Sequence, residues 1–206
     1  MVRITDDSGD VTKCLLDPYD EELGRLERAA RAVDWEREIA IQLMGRVGCR
    51  ADEVAAGEPG TYPTRDRLRW SSTGDCWFIE IRGKNTDGGE KKTRDAWVPD
   101  AVADNIQRFA SERERAPDEP LVDVSTSSVR RWVREAAATL ADEGHGERWR
   151  EVSSHDLRRS WATYHIVEEG VDVRTMMSLG GWSSYAAIEP YLGEPTEAKV
   201  GRVMPG

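Results

Sequence analysis

The sequence predicts a mainly helical domain with one small three-stranded antiparallel sheet, which places it in the α+β class. Apolar residues recur at helical spacing in both halves of the chain, whereas strand-like alternation is confined to the middle. With 206 residues, the chain is long enough for one domain with a full hydrophobic core.

Three helices are predicted in the first half of the chain. The dipeptide Asp17-Pro18 marks a helix start, because proline is favoured at the first helical position, and apolar residues follow at helical spacing as far as Val33. A second helix is expected over about 34–47 and ends at Gly48, since glycine readily adopts the conformation that closes a helix. A short third helix is expected over about 50–56.

The sheet is predicted in the middle of the chain. Strands are expected over about 67–72, 76–82 and 95–99, where aromatic and branched residues are frequent and alternate with other side chains. Residues 72–75 have the composition of a turn. The stretch 85–93 is polar and contains glycine, so we expect a mobile hairpin tip there.

The second half returns to helical spacing. Residues 111–120 are charged and contain two prolines, which indicates a loop. Residues 1–16 are expected to form an N-terminal tail, and residues 17–206 the domain. The helices are predicted over about 100–111, 126–143, 154–169, 173–179 and 185–192.

The charge balance argues at first against a nucleic-acid partner. Asp and Glu number 39 against 29 Lys and Arg, which gives a net charge of -10, whereas proteins that bind a phosphate backbone usually carry a basic surplus. Net charge describes the whole surface, however, and binding needs only one positive face. Only five of the basic residues are lysines. This acidic, lysine-poor composition leads to the hypothesis that the protein is halophilic and works in concentrated salt.

Several classes of protein are excluded or made improbable by composition. The chain has no apolar run long enough to span a membrane, and its first residues lack the pattern of a signal peptide, so we expect a cytoplasmic protein. Cys14, Cys49 and Cys76 lie far apart and match neither a disulfide framework nor a zinc site. Free thiols are therefore expected.

The strongest local motif is the segment from Ser153 to Arg159. Ser153 followed by Asp156 has the spacing of a capping box, which predicts a helix start. His155 and Arg158 then share one face near the positive end of that helix, an arrangement suited to bind phosphate. An ordinary amphipathic helix with a surface histidine and arginine would show the same spacing, so both interpretations stay open for this segment alone.

The residues that follow narrow the choice. Gly170 is expected to end the helix that carries His155, and a further helix ends at Gly180-Gly181. Trp182-Ser183-Ser184 comes next, and Tyr191 stands nine residues after Trp182.

The run from His155 to Tyr191 resembles the C-terminal signature of the tyrosine recombinases, also called phage integrases. In that family a His-x-x-Arg helix precedes a position that is usually histidine and that also accepts tryptophan, here Trp182. The nucleophilic tyrosine follows nine residues later, here Tyr191.

Two upstream segments extend the resemblance to roughly residues 17–195. Met44 to Val54 resembles the segment that carries the family's first catalytic arginine, which falls on Arg50, and its buttressing acid, which falls on Glu53. Ile81 to Asn85 resembles the turn that carries the catalytic lysine, which falls on Lys84. Lys91 and Lys92 are rival candidates for that lysine.

The resemblance implies an integrase-like catalytic domain that cleaves and rejoins DNA at specific sites, as in recombination or integration. Tyr191 would form a covalent 3′-phosphotyrosine, while Arg50 and Arg158 stabilise the non-bridging oxygens. Lys84 would protonate the leaving oxygen, His155 would assist proton transfer, and Trp182 would orient the phosphate. Because two arginines would stabilise the negative charge of the transition state, no metal or other cofactor is expected.

The implied partners are double-stranded DNA and other copies of the chain, with a tetramer on synapsed DNA. The N-terminal clamp domain of complete recombinases is expected to be absent, so a separate clamp or accessory protein is a further candidate partner. The DNA backbone is expected to contact Arg130, Arg131, Arg134 and Arg159, although a solvated face is an equal interpretation of these arginines.

Other interpretations of function and of individual residues stay open. A non-catalytic DNA-binding relative with a regulatory role and a relaxing enzyme of the type IB topoisomerase kind are the alternative functions. Pro190 is restrictive in a helix, so Tyr191 is expected on a loop or broken turn. The remaining expectations are that Tyr19, Tyr164 and Tyr185 are weaker candidates for the nucleophile, that Trp132 and Trp161 are core residues, and that His145 and His165 are surface residues.

Overall fold

The computed structural model describes residues 3–5, 13–57, 61–82, 93–192 and 201, and the predicted fold class is confirmed in them. Helices pack on the buried face of one three-stranded antiparallel sheet. The α-helices of the described residues are α1 (Tyr19–Val33), α2 (Trp35–Gly45), α3 (Ala51–Val54), α4 (Asp100–Glu112), α5 (Thr126–Leu140), α6 (Ser154–Thr163), α7 (Val173–Gly180) and α8 (Tyr185–Ile188).

A two-stranded hairpin precedes the first helix, where the sequence predicts a tail. It pairs β1 (Arg3–Thr5) with β2 (Lys13–Leu15) in antiparallel register. The backbone N–H of Cys14 donates to Asp156 over 3.2 Å, and that of Leu16 donates to Ser160 over 3.0 Å. Cys14 and Leu16 are buried, so the end of the predicted tail packs into the core against α6.

The sheet consists of β3 (Leu68–Ser71), β4 (Cys76–Arg82) and β5 (Thr93–Val98), with β4 in the centre. Ile79 of β4 lies opposite Ala96 of β5, and both are fully buried. The side chains on this face close the core, because alternate residues of a strand point to the same side of the sheet.

Helix α2 passes through the middle of the core, where Ile39, Leu43 and Met44 have no exposed surface. The chain then turns sharply at Gly48, whose φ is +76°. A Cβ atom at Gly48 would lie 2.3 Å from the ring of Trp161 on α6. Glycine is therefore required both by the backbone conformation and by the close approach of α6, and the turn brings the start of α3 beside α6.

Several helices end in a different geometry from the one predicted. Helices α5 and α6 continue as π turns over Ala141–His145 and Tyr164–Glu168, and α8 continues as a 3-10 turn over Glu189–Tyr191. Further 3-10 turns over Arg65–Arg67 and Glu147–Glu151 were not predicted. These short turns lack the repeated apolar spacing on which the helix predictions rest.

The predictions for individual aromatic and cysteine residues are mostly confirmed. Trp132 and Trp161 are core residues, His145 is exposed, and all three cysteines are free thiols. The surface prediction for His165 is wrong, because its half-buried ring contacts Tyr19, Trp97, Trp161 and Tyr164. In the described part of the chain, no helix combines the length and the apolar character needed to cross a membrane.

Candidate active site

Helix α3 presents the first of the predicted site residues at its start. Glu53 caps the helix, because its Oε2 accepts the backbone N–H of Arg50 over 2.7 Å. Its Oε1 accepts a hydrogen bond from Nη1 of Arg50 over 2.9 Å. Glu53 is buried, whereas Arg50 is 40% exposed at its side chain. The buried carboxylate therefore holds an arginine that can still reach a ligand.

A second arginine, which the sequence analysis did not select, binds the same carboxylate. Arg94 of β5 donates from Nη1 to Oε1 of Glu53 over 2.7 Å and from Nη2 to Oε2 over 2.9 Å. Arg94 shares the inward face of β5 with Ala96 and Val98. This spacing of two was visible in the sequence and could have identified Arg94 as a buried cation at the end of a strand face.

Arg158 of α6 lies deepest in the site, with 1% of its surface exposed. Its two terminal nitrogens donate to the carbonyl oxygens of Gly48 and of Gly180, the latter over 2.6 Å. Burial and the nearby charge of Arg50 lower the pKa of Arg158 to about 10. The Arg158 guanidinium therefore stays protonated at neutral pH. Its nearest carboxylate oxygen on Glu53 is 4.0 Å away.

Trp182 is packed over Arg158 by the end of α7. Gly181 closes that helix with a φ of +70°, as the sequence predicts. The Arg158 guanidinium carbon lies 4.2 Å from the centroid of the Trp182 ring. The Trp182 ring also contacts two other aromatic rings. Trp161 stacks on it with the ring centroids 6.1 Å apart, and the centroid of the Tyr191 ring is 5.3 Å away. The indole is thereby fixed between the core and the candidate nucleophile.

Tyr191 lies at the end of the 3-10 turn Glu189–Tyr191 and is 8% exposed. This agrees with the broken turn that Pro190 predicts. Its hydroxyl lies 3.4 Å from Nε2 of His155, at the long end of hydrogen-bond distance. Burial, and next the charge of Arg159, lower the pKa of His155 below its ordinary value. The imidazole is thus largely neutral at pH 7 and suited to accept a proton.

An open pocket of about 400 Å³ lies beside these groups. It is lined by the start of α3, by the start of α6 and by one residue of α5. Its lining includes three arginines and one histidine, Arg50, Arg130, Arg158 and His155, against one carboxylate, that of Asp52. The capping box of α6 is confirmed, since the Asp156 carboxylate accepts the N–H of Ser153 over 3.0 Å. A positive helix end and three arginines make this pocket suited to an anion.

The other predicted arginines are divided between the surface and the interior. Arg130, Arg131 and Arg134 are exposed on α5, and Arg131 lies 3.4 Å from Glu135. Arg159 instead donates to Asp156 over 2.6 Å, with only 11% of its side chain exposed. Its charge is therefore used largely within the protein.

The remaining candidates from the sequence are three lysines and three tyrosines. Lys84, Lys91 and Lys92 lie outside the described residues. Tyr19 is buried and donates to the carbonyl of Gly45, and its ring stacks on Tyr164. Tyr185 is 58% exposed. Among the predicted site residues, the structure thus groups Arg50, Glu53, His155, Arg158, Trp182 and Tyr191.

Positive charge exceeds negative charge around the carboxylate of Glu53. Burial would raise the pKa of Glu53, but hydrogen bonds and charge from Arg94, together with the charge of Arg158, hold it below its ordinary value. Arg50, Arg94 and Arg158 therefore face a single anionic side chain. Such a site can stabilise an added phosphate, and more so a phosphate that gains charge in a transition state.

Comparisons with known proteins identify the family and the fold of this chain. The sequence model of the phage integrase family matches residues 21–196. The structure of XerA recombinase is similar at a TM-score of 0.63 and 16% identity, over 96% of this chain and 64% of that one. The structure of the Tn1549 transposon integrase in complex with transposon right end DNA is similar at a TM-score of 0.65 and 16% identity. The match covers 97% of this chain and 68% of that one.

A third similar structure is XerH recombinase bound to difH substrate in a pre-cleavage complex. Its TM-score is 0.58 at 15% identity, over 89% of this chain and 51% of that one. This chain thus spans roughly half to two thirds of the length of these structures. No curated protein matches the sequence.

Proposed function

Because this chain belongs to the phage integrase family, we propose that it cleaves and rejoins DNA strands at specific sites through a covalent phosphotyrosine on Tyr191. One observation carries the proposal. The Tyr191 hydroxyl lies 3.4 Å from a histidine nitrogen, at the edge of a site in which buried arginines exceed carboxylates. The candidate nucleophile, a candidate proton acceptor and a site suited to an anion therefore lie next to one another, which supports the proposal.

The proposed cleavage step is a displacement at phosphorus. Tyr191 Oη attacks the scissile phosphate and its proton passes to His155, whose lowered pKa favours the neutral form. The P–O bond to the 5′ oxygen breaks, and that oxygen takes a proton, which we assign to Lys84. The strand is left as a 3′-phosphotyrosine. In the reverse step a 5′ hydroxyl returns its proton to Lys84 and attacks the phosphotyrosine. The P–O bond to Tyr191 breaks, the strand is rejoined, and the proton on His155 returns to Tyr191.

Charge stabilisation is assigned to the two arginines on either side of Glu53. Negative charge accumulates on the non-bridging oxygens in the transition state, and Arg50 and Arg158 can each direct further N–H donors towards them. Trp182 is fixed against Arg158, and we assign its ring N–H to the same phosphate. Preorganised donors of this kind typically contribute about 10²–10³-fold each to the rate.

We assign the DNA backbone to the face that carries the pocket. Arg130 lines the pocket itself, and Arg134 lies one helical turn further along α5. Exchange of strands between two duplexes requires two cleavages in each duplex, so the proposed assembly on DNA contains four protomers. In that assembly each Tyr191 acts on one strand.

The proposal is tested by trapping the covalent intermediate. The protein is incubated in high KCl with fragmented DNA of its source organism, and protein–DNA adducts that survive denaturation are sequenced to find the cleaved site. A duplex with that site and a nick next to it then serves as a suicide substrate. We expect wild type to form an adduct and Tyr191→Phe to form none, because phenylalanine lacks the attacking oxygen.

The matched control is Tyr185→Phe, six residues earlier and largely exposed, which should retain the adduct. Binding of site DNA without any adduct in wild type would support the non-catalytic DNA-binding alternative. Relaxation of arbitrary supercoiled plasmids would support the topoisomerase alternative, since that activity needs no defined site.

A further inference from the structure

Arg94 connects three segments of the candidate site. It lies on β5, its fork binds Glu53 of α3, and its Nε donates to the carbonyl of Leu179 near the end of α7 over 2.9 Å. The residues joined in this way are 41 and 85 positions away from Arg94 in the chain. A single guanidinium thus connects elements that reach the site from different parts of the sequence.

The contact with Glu53 determines where that carboxylate points. Both of its oxygens accept from Arg94, in the bidentate geometry that only a guanidinium provides. The same oxygens accept from the side chain and backbone of Arg50. Without Arg94, Glu53 would be free to turn towards Arg158, and the hold on Arg50 would weaken.

The contact with α7 determines where the indole of Trp182 lies. The carbonyls of Leu179 and Gly180 accept from Arg94 and Arg158, respectively. A Cβ atom at Gly181 would lie 2.9 Å from the Arg94 side chain, so the two segments are in close contact. The last turn of α7 is therefore held by both arginines, and Trp182 follows directly.

We propose that Arg94 is a positioning residue that holds Arg50, through Glu53, and Trp182, through the end of α7, in the geometry needed to stabilise the scissile phosphate. The proposal rests on the proposed function for the reaction that it serves. Arg94 itself has only 9% of its side chain exposed and both ends of its fork engaged, so its action is through these neighbours.

The chain contains a matched arginine away from the site. Arg115 donates to Glu36 over 2.8 Å and to the carbonyl of Pro120 over 2.8 Å, so it also joins a carboxylate to a backbone carbonyl. Its side chain is 17% exposed. Arg94 differs in binding both oxygens of its more deeply buried carboxylate. Arg94→Lys and Arg115→Lys each remove a guanidinium that joins a carboxylate to a backbone carbonyl, and only the first should affect the reaction.

The test compares both variants for stability, DNA affinity and the single-turnover rate of adduct formation on the suicide substrate. DNA affinity is measured with Tyr191→Phe as the common background. We expect Arg94→Lys to lose at least as much stability as Arg115→Lys, because its carboxylate partner is more deeply buried. Both variants should bind DNA within about threefold of the parent, whereas Arg94→Lys forms the adduct roughly a hundredfold more slowly, as misplaced catalytic groups do. Equal adduct rates for Arg94→Lys and Arg115→Lys would overturn the proposal.

A pH profile separates positioning from a loss of folded protein. Arg94 supplies the main contacts that hold the pKa of Glu53 down against burial. In Arg94→Met that pKa rises, so Glu53 becomes protonated and releases Arg50 at a higher pH than in wild type. Protonation of His155 also contributes to the acid limb of the adduct rate, because it removes the proton acceptor, and Arg50 and Arg158 still face Glu53. Relative to Arg115→Lys, which retains all of these groups, the acid limb of Arg94→Met should lie at higher pH, and coinciding limbs would contradict the mechanism.

An anion-binding measurement keeps the proposal testable if wild type forms no adduct. Inorganic phosphate at constant KCl should raise the Tm of wild type and of Arg115→Lys, but raise that of Arg94→Lys much less, because the arginines around Glu53 are no longer held. A missing adduct with this Tm pattern would reject the proposed function and support the positioning role. Equal phosphate responses, or none in wild type, would reject the positioning role.

Discussion

At the scale of single residues, two histidines have lowered pKa values in different surroundings. His155 lines the pocket and faces Tyr191. His165 lies in an aromatic cluster with Tyr19, Trp161 and Tyr164, where burial is the main cause that lowers its pKa. In both rings the lowered pKa favours the neutral form, which at His155 suits the proton transfer that we propose and at His165 suits packing.

The histidine in the aromatic cluster predicts how stability depends on pH. Its pKa in the folded protein lies below the unfolded value, so the folded state binds a proton less readily. The stability from the neutral ring is present above about pH 6.5, the ordinary histidine pKa, and is lost as pH falls through the folded pKa. The charges around the ring are those of Asp20, Arg46 and Glu169.

We expect His165→Phe to reduce this loss, because phenylalanine keeps an aromatic ring but takes up no proton. Urea unfolding between about pH 7.5 and 5 should show a smaller fall of the unfolding free energy in His165→Phe than in wild type. Since His155 is retained in both proteins, part of the fall should remain. Identical pH slopes would contradict the neutral, buried state of His165.

At the scale of elements, the end of α7 is set by two adjacent glycines. A Cβ atom at Gly180 would lie 1.9 Å from the ring of Trp182, and Gly181 adopts a positive φ. The helix therefore stops at the one place where the indole can fold back over Arg158. Trp182 and the Tyr191 segment both depend on this termination, since they follow it in the chain.

We expect Gly180→Ala to destabilise the protein by roughly 1–3 kcal/mol, the usual cost of overpacking, and to slow adduct formation because Trp182 must move. The matched control is Gly24→Ala in α1, where the nearest atom is the tip of Arg28 at 3.3 Å. Alanine there should stabilise the helix by about 0.5–1 kcal/mol. Thermal unfolding and the suicide substrate measure both effects, and a neutral result for Gly180→Ala would refute the packing argument.

At the scale of the whole molecule, acidic charge dominates the surface while the site is basic. The net charge is -10. Many arginines are neutralised by ion pairs, such as Arg37 with Glu135, Arg113 with Asp34 and Arg150 with Asp142. The unbalanced carboxylates therefore repel one another, and the cations around Glu53 are left as a local exception.

This charge distribution predicts opposite effects of salt on folding and on DNA binding. Raising KCl from about 0.01 M to 1 M shortens the screening length from about 30 Å to about 3 Å, which weakens the repulsion between carboxylates. We expect the unfolding free energy to rise over this range and DNA affinity to fall as counterions compete. Chemical unfolding and fluorescence anisotropy measure the two trends. Full stability in dilute buffer would contradict the halophilic interpretation.

The sequence by itself determined the local structure of this protein. Helix positions followed from apolar spacing, the start of α6 from the capping box of Ser153 and Asp156, and the end of α7 from Gly180-Gly181. Each of these signals acts between residues that are neighbours in the chain, so the pattern contains the interaction. Together with the resemblance of its motifs, this was enough to select Arg50, Glu53, His155, Arg158, Trp182 and Tyr191, which the structure brings together, but not Arg94.

Only the tertiary structure decided how those residues act together. The contact of His155 with Tyr191 joins positions 36 apart, and that of Arg158 with Gly48 joins positions 110 apart. The bidentate hold of Arg94 on Glu53 had no local signature, because its partner belongs to another element. Burial, pKa and the direction of a side chain depend on which distant atoms surround it, and those atoms are fixed only when the core closes.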